Sequence, residues 1–187
     1  MSLPTDDSEL LALAFAAGRG DRDAVEALIR ATQRQIHRFV VSLDGLGDAE
    51  DLVQETYLRA VRALPSFAGR SSVRTWLFAI ARRAVADHQR RSYRQPATAA
   101  VPDWVVAAEP AARFRFDDHH ALVDLLDRLP PERREAFVAT QVVGLSYVAA
   151  AEVCGCPVGT IRSRVARARE DLIAALEQDR AAGGRTG

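Results

Sequence analysis

The feature that most constrains this chain is the spacing of its apolar residues, which recur at steps of three and four along most of its length. After Asp21 the repeat forms one long stripe, made of Val25, Leu28, Ile29, Ile36, Phe39, Val40 and Leu43. Such a stripe is the buried face of an amphipathic helix. Only 6% of the residues are aromatic, so the cores must be built mostly from aliphatic side chains. The sequence therefore predicts an all-α protein with little or no β-strand.

Capping residues and prolines divide the predicted helices into two groups. Asp21 and Asp48 are placed to cap the helices that follow them, and Ser71 or Ser72 can cap a fourth helix that ends near Tyr93. The next stretch contains three prolines and no helical repeat, which is typical of a linker. We therefore predict a first helical domain over residues 1–94, a flexible linker over 95–117, a second helical domain over 118–178 and a disordered tail over 179–187.

The second domain contains the string LSYVAAAEVCGCPVGTIRSRVARAREDLIAAL, which predicts a helix-turn-helix. Ser146 can cap a short helix, CGCP forms a tight turn, and Val158 or Gly159 begins a longer helix. In the longer helix Ile161 and Val165 repeat for burial. The residues that fall largely elsewhere are Thr160, Arg162, Ser163, Arg164, Arg167 and Arg169. They suit a DNA major groove, where the first turn of a recognition helix meets base edges, although a merely solvated basic face is the alternative.

The charges of the chain are segregated, although its formal net charge is zero. Five acidic residues and no basic residue lie between Asp44 and Glu55. The order is reversed in two later segments, since 82–94 holds five arginines against one aspartate and 162–169 holds four arginines and no acid. The sequence therefore predicts one acidic surface and two basic surfaces, and basic surfaces suit nucleic-acid phosphates.

Residue patterns typical of enzymes are missing from the sequence. It contains no Walker or dinucleotide-binding glycine motif and no convincing pair of nucleophile and base. His119 and His120 would point about 100° apart on a helix and could not share a metal ion well. Cys154 and Cys156 lack a further Cys or His pair to complete a zinc site, so we interpret them as turn or core residues. We expect no catalytic residue, no metal site and no cofactor.

Three stretches of the chain together resemble the extracytoplasmic-function (ECF) sigma factors of the sigma-70 family. DAEDLVQETYLRAVRALPSF resembles the helix with which these factors bind RNA polymerase, and GRSSVRTWLFAIARRAVADHQRR resembles their promoter-melting segment. LPPERREAFVATQVVGLSYVAAAEVCGCPVGTIRSRVARAR resembles the domain that reads the upstream promoter element. The resemblance spans both domains. It implies a factor that binds core RNA polymerase, directs promoter-specific initiation and assists promoter melting.

The resemblance implies two sets of contacts for the first domain. The polymerase-binding residues would be Asp48, Asp51, Gln54, Glu55 and Arg59, with a solvated acidic face as the alternative. The minus-ten residues would be Phe67, Ala68, Gly69, Arg70 and Ser71, in a loop that receives a flipped base, and Arg74, Thr75, Arg82, Arg83 and His88, along the single strand. For Phe67 a staple between two helices is the alternative. Trp76 lies on the apolar stripe of its helix, which favours core packing over a role in strand separation.

For the second domain the resemblance implies contacts with the minus-35 element. These residues would be Val158, Thr160, Ile161, Arg162, Ser163, Arg164, Arg167 and Arg169, the last two holding phosphates. The implied partners are core RNA polymerase, through its beta and beta-prime subunits, promoter DNA and an anti-sigma factor. In this family the linker threads the polymerase channels. Trp104 in the linker therefore has two interpretations, a contact with one of the cores or a segment that orders on a partner.

Localisation and rival functions follow from the same patterns. No apolar run approaches the roughly 20 residues that cross a membrane, and MSLPTDDSEL lacks the features of a signal peptide, so we expect a cytoplasmic protein.

One rival function is a stand-alone helix-turn-helix regulator that binds its operator as a dimer. Another is a helical interaction module whose arginines serve solvation alone. A stand-alone regulator has no reason to carry the stretch of the first domain that resembles a polymerase-binding helix.

Overall fold

The computed structural model describes residues 6–92 and 116–183, and every structural statement below concerns those residues. Their regular elements are all helical, which confirms the predicted all-α class. The first group contains α1 (Asp7–Gly18), α2 (Arg22–Asp44), α3 (Ala49–Ala63), a 3₁₀ turn (Leu64–Ser66) and α4 (Val73–Ser92). The second contains α5 (Phe116–Asp127), α6 (Pro131–Phe137) with a π-helical extension (Val138–Val142), α7 (Tyr147–Cys154) and α8 (Val158–Gly183). Residues 93–115, which include most of the predicted linker and Trp104, lie outside the described part.

Three of the predicted helix caps are present. The side chains of Asp21, Ser72 and Ser146 each accept a hydrogen bond from the backbone N–H three residues later, at 3.1 Å in all three cases. These bonds satisfy donors that the first turn of a helix leaves unpaired. The cap predicted at Asp48 is wrong, because this residue precedes α3 without a side-chain capping bond. Its carboxylate lies instead 3.2 Å from Nε2 of His88, on α4.

The core of the first group is a bundle in which α2 packs against the other three helices. Phe39 of α2 and Phe78 of α4 meet edge to face with ring centroids 4.9 Å apart, and both are fully buried. A hydrogen bond of 2.8 Å joins the hydroxyls of Thr32 and Tyr57 inside this core. Burial raises the pKa of Tyr57 to about 12, because the charged phenolate would lose its hydration there.

The second group forms a smaller core around the predicted helix-turn-helix. Leu126, Val138, Ile161 and Val165 are buried there, and α7 meets α8 through the turn at Gly155, which has the left-handed φ of 64°. This conformation favours glycine and ends α7 cleanly. The helix α8 continues to Gly183, so the predicted disordered tail is wrong for residues 179–183. Residues 184–187 are outside the described part.

The two groups pack against each other. The π-helical extension and α5 contact α2, and α7 lies against α4. Polar contacts across this boundary include a hydrogen bond of 2.9 Å from Arg82 Nε to Glu135 and one of 3.1 Å from Arg134 to the backbone carbonyl of Leu43. Among the described helices, none combines the length and the apolar character that crossing a membrane requires.

Candidate nucleic-acid interface

The first turns of α8 present a basic surface to solvent. The side chains of Arg162, Ser163, Arg167 and Arg169 are exposed, and those of Val158, Thr160 and Arg164 are half-buried. Ile161 is fully buried, so its predicted contact with DNA is wrong for this structure. Its position follows from the apolar repeat of the helix, which places it one turn before Val165 on the core side. The remaining residues are distributed around the solvent side of the first three turns of α8, outside the buried positions Ile161 and Val165.

Side chains of α8 contact the turn before the helix and the end of the π-helical extension. Arg164 approaches Sγ of Cys156 at 3.7 Å, and Arg169 donates to the side chain of Gln141 at 2.7 Å. Cys154 and Cys156 are free thiols, as expected for turn and core residues. Cys154 is buried, and burial raises the pKa of its thiol to about 12. Both cysteines therefore support the shape of the turn.

The loop between the 3₁₀ turn and α4 holds the first part of the predicted minus-ten set. Phe67 is only 9% exposed, and its ring lies 5.9 Å from that of Phe15 and 4.9 Å from that of Trp76. The structure thus shows Phe67 as the staple between helices that was its alternative role, and Trp76 as a partly buried packing residue. Ala68, Gly69 and Arg70 are exposed and Ser71 is half-buried, so these four remain accessible to a ligand.

Most of the predicted minus-ten residues on α4 are buried or paired with other residues of the protein. Thr75 is buried, and its hydroxyl lies 2.9 Å from that of Ser72 at the helix start, so Thr75 is not accessible to DNA in this arrangement. Arg82 is paired with Glu135 of the second group. Arg83 is exposed.

Two further members of the set face acidic residues of the first group. Arg74 lies 3.7 Å from a carboxylate oxygen of Asp7. His88 lies beside Asp44 and Asp48, at 3.5 and 3.2 Å. The four side chains 74, 82, 83 and 88 therefore do not form one open groove in this arrangement.

The predicted polymerase face lies on the outer side of α3. Asp51 and Gln54 are exposed, whereas Glu55 and Arg59 form an ion pair of 2.7 Å. Arg59 also donates to Asp87 of α4 at 2.7 Å, and this bond holds the pKa of Asp87 below its usual value. Arg59 is therefore a link between α3 and α4 in the free protein.

Two apolar residues on the same side of α3 were missed by sequence reasoning. Leu58 and Val61 are 47% and 41% exposed, which is unusual for large aliphatic side chains. They stand four and seven residues after Gln54, on one helix face. This spacing could have indicated from the sequence that Leu58 and Val61 share the exposed face of Gln54. The outer side of α3 thus combines acidic, amide and apolar groups, a composition suited to a protein partner.

Comparison with known families adds an independent line of evidence. The description "Sigma-70 region 2" matches residues 28–95, and "Sigma-70, region 4" matches residues 119–172. The ECF RNA polymerase sigma factor SigC of Mycobacterium tuberculosis is 50% identical over 177 residues, which cover 94% of this chain and 95% of SigC. The chain belongs to the ECF sigma factors of the sigma-70 family. As a member, it directs RNA polymerase to specific promoters at initiation.

Other ECF sigma factors are similar over most of the chain. EcfG of Rhodopseudomonas palustris is 39% identical, with 84% of this chain and 87% of EcfG covered. Among solved structures, CnrH in complex with the cytosolic domain of CnrY has a TM-score of 0.72 at 27% identity and covers 93% of this chain and 99% of CnrH. The sigma factor RpoE of Bartonella quintana, in complex with the anti-sigma factor NepR, has a TM-score of 0.66 at 33% identity, with 81% and 96% covered.

Proposed function

We propose that this ECF sigma factor recognises promoters at two points and divides the work between its two helical groups. The exposed arginine face of α8 reads the minus-35 element in the major groove. The loop 68–71 and the basic side of α4 bind the minus-ten element as a single strand. The outer side of α3, around Asp51 and Gln54, binds core RNA polymerase. The chain itself catalyses no step, and it works in the cytoplasm, where the polymerase is.

The observation that carries this proposal is the exposed basic face at the start of α8. Arg162, Arg167 and Arg169 are exposed on α8, which follows the turn at Gly155, and the helix before that turn, α7, is capped by Ser146. Guanidinium groups match the acceptors of guanine and of phosphate, and a good bidentate base contact is worth about 1–3 kcal/mol of discrimination. A face that served solvation alone would need no such turn before it. The feature supports the sigma-factor role over a helical interaction module.

The packing of the two groups supports a second element of the proposal, which is that they separate during promoter binding. Arg82, on the basic side of α4, is neutralised by Glu135 in the closed arrangement. A single strand could approach Arg82 only after Glu135 had moved away. The residues between the groups, 93–115, would then act as the linker that permits this separation. On this basis we divide the chain into a first domain that ends with α4 at Ser92, a linker over 93–115 and a second domain that begins with α5 at Phe116 and includes all of α8.

An inhibitory partner is part of the proposal as well. Two similar structures contain a second chain: CnrH is in complex with the cytosolic domain of CnrY, and the sigma factor RpoE is in complex with the anti-sigma factor NepR. We propose that an anti-sigma factor binds this protein in the same manner and competes with the polymerase. The exposed Leu58 and Val61 beside Asp51 offer an apolar area that both partners could use.

Run-off transcription with purified core polymerase and a panel of genomic promoter fragments tests the function directly. We expect fragment-specific transcripts only when the protein is added. Absence of such transcripts, together with tight binding of DNA by the protein alone, would instead support a stand-alone regulator.

The polymerase face is tested by reversing one charge. Asp51→Arg should weaken binding to core polymerase by at least about tenfold, because it places a cation in the centre of the proposed contact. Glu26→Arg makes the same charge change at an exposed position of α2 and should leave binding unchanged. Equal affinities of the two variants, measured by fluorescence anisotropy of labelled protein, would remove α3 from the proposed interface.

A further inference from the structure

Three potential metal ligands meet where α2 ends, α3 begins and α4 passes by. They are Asp44, Asp48 and His88, and one ligand atom from each lies within 4.8 Å of the other two. The Nε2 atom of His88 is 3.5 Å from Oδ2 of Asp44 and 3.2 Å from Oδ2 of Asp48. A cleft of about 510 Å³ opens beside them. No metal was expected here from the sequence, because His88 lies 40 residues beyond Asp48 in the chain.

The two distances are longer than an ion pair between imidazolium and carboxylate requires. A charge-assisted N–H···O bond is about 2.7–2.9 Å long. In addition, Nε2 carries at most one hydrogen and cannot donate fully to two carboxylates. Ligand atoms around a tetrahedral zinc ion, with bonds of about 2.0–2.1 Å, are separated by about 3.3 Å. The observed distances of 3.2 and 3.5 Å fit that separation.

The surroundings of the three ligands fit the same interpretation. The side chain of Asp44 is only 11% exposed, and Gln89 donates to its Oδ1 at 2.9 Å, which orients the carboxylate and leaves Oδ2 directed at His88. Hydrogen bonds of this kind commonly hold metal ligands in place. The nearby cation Arg134 is already paired with Asp127 at 2.7 Å. Arg134 therefore acts on Asp44 only through its charge, and the ion pair of Arg134 is formed with Asp127 instead.

We propose that Asp44, Asp48 and His88 bind a divalent transition-metal ion of the zinc type. One imidazole nitrogen and two carboxylate oxygens suit Zn²⁺, whereas Mg²⁺ and Ca²⁺ prefer oxygen ligands alone. Water from the cleft would complete the coordination. The ion would join the C-terminal end of α2 to the start of α3 and to α4, so it would stabilise the beginning of the helix that carries the proposed polymerase face. Its site is separate from the DNA-reading face of α8.

The test is a titration of the untagged, metal-free, full-length protein with Zn²⁺ by calorimetry and with Co²⁺ by visible absorption. We expect one ion per chain with micromolar affinity, and d–d bands that indicate nitrogen and oxygen ligands. His88→Gln and Asp48→Asn should each weaken binding at least tenfold. Glu50→Gln removes a neighbouring exposed charge on the same helix and should bind like the unchanged protein. The melting temperature should rise with added Zn²⁺ in the unchanged protein and in Glu50→Gln only.

Two results would overturn the proposal. One is the absence of binding at 100-fold excess of Zn²⁺ over about 10 µM protein, a concentration at which a micromolar site saturates. The other is undiminished binding in His88→Gln and Asp48→Asn, with loss in the double variant His119→Gln/His120→Gln instead. Asp48 is 57% exposed, so Asp48→Asn should fold even if His88→Gln does not, and circular dichroism verifies this.

Discussion

The helices α4 and α8 both carry runs of arginine, yet they differ in how much of that charge they leave accessible. On α8, Arg162 and Arg167 are exposed. On α4, Arg82 is paired with Glu135 and Arg90 with Asp87. Similar sequence composition therefore gives exposed arginines at the start of α8 and, at Arg82 and Arg90 of α4, arginines that pair with carboxylates. If the proposed assignment holds, the minus-35 surface is already accessible in the free protein, whereas Arg82 of the minus-ten surface becomes accessible only when Glu135 moves away.

The strongest test of this contrast removes one arginine from the open surface. Arg162→Ala should lower promoter-dependent transcription at least fivefold, since a bidentate base contact is worth about 1–3 kcal/mol. Run-off assays measure the loss. Arg180→Ala, at the far end of the same helix, is the matched control and should change transcription less than twofold. If Arg162→Ala is as active as the control, the α8 face does not read DNA.

Gly18 in the first domain and Gly159 in the second differ in the space around them, and this difference predicts opposite effects on stability. An added Cβ at Gly18 would lie 2.8 Å from the carbonyl oxygen of Leu64, whereas at Gly159 it would meet nothing within 4 Å. Gly18→Ala should therefore lower the free energy of unfolding by about 1–3 kcal/mol through overpacking. Gly159→Ala should raise it by up to about 1 kcal/mol, because alanine favours the helix. Urea denaturation measures both, and a neutral Gly18→Ala would contradict the close contact.

Alkaline pH offers a way to weaken each domain through one buried group. The pKa of Cys154 is raised from 9.0 to about 12 and that of Tyr57 from 10.0 to about 12, so the unfolded chain loses these protons first. Stability that is complete below pH 9 should therefore fall as the pH rises toward 12.

Two variants separate the contributions. In Cys154→Ala the fall should begin near pH 10 rather than near pH 9, and in Tyr57→Phe the fall that remains should be the one due to the thiol. Urea midpoints measured from pH 8 to 11 give both profiles. Identical profiles in all three proteins would show that neither group is protected in the folded state.

The smallest expected effect comes from the contact between the domains. Glu135→Gln removes the partner of Arg82, and a partly exposed ion pair of this kind is worth about 0–1 kcal/mol. Binding of single-stranded DNA with the minus-ten sequence should therefore tighten by up to about fivefold. Fluorescence anisotropy of a labelled oligonucleotide measures this change. Glu132→Gln, an exposed position on the same helix, serves as the control, and weaker binding in Glu135→Gln would contradict the release of Arg82.

Much of the fold could be predicted because it depends on local patterns. The caps at Asp21 and Ser146 act on residues three positions away, and the apolar repeat alone places α2 and the first turns of α8. Asp48 has the same local pattern as Asp21, but a histidine 40 residues later attracts its carboxylate. Local rules could not reveal that competition.

The candidate site was less predictable, because accessibility depends on tertiary packing. Family resemblance assigned Phe67, Thr75 and Ile161 to DNA, and the structure buries all three. The pairing of Arg82 with Glu135 joins residues 53 positions apart in different domains. The packing of the second helical group against the first brings Glu135 of α6 to Arg82 of α4. A motif thus located the functional segments, while the fold decided which of their side chains are available.

The helix α1 has a consequence for how promoter preference can be exchanged between relatives. The region 2 match begins at residue 28, after α1 has ended. Even so, the ring of Phe15 lies 3.2 Å from where a Cβ on Gly69 would be, and Gly18 is pressed against Leu64. The helix α1 therefore packs against the loop that we propose binds the minus-ten element. In a hybrid factor that takes the loop from one relative and α1 from another, the loop would pack against a helix that does not match it. An exchange of promoter preference must therefore transfer the loop and α1 together.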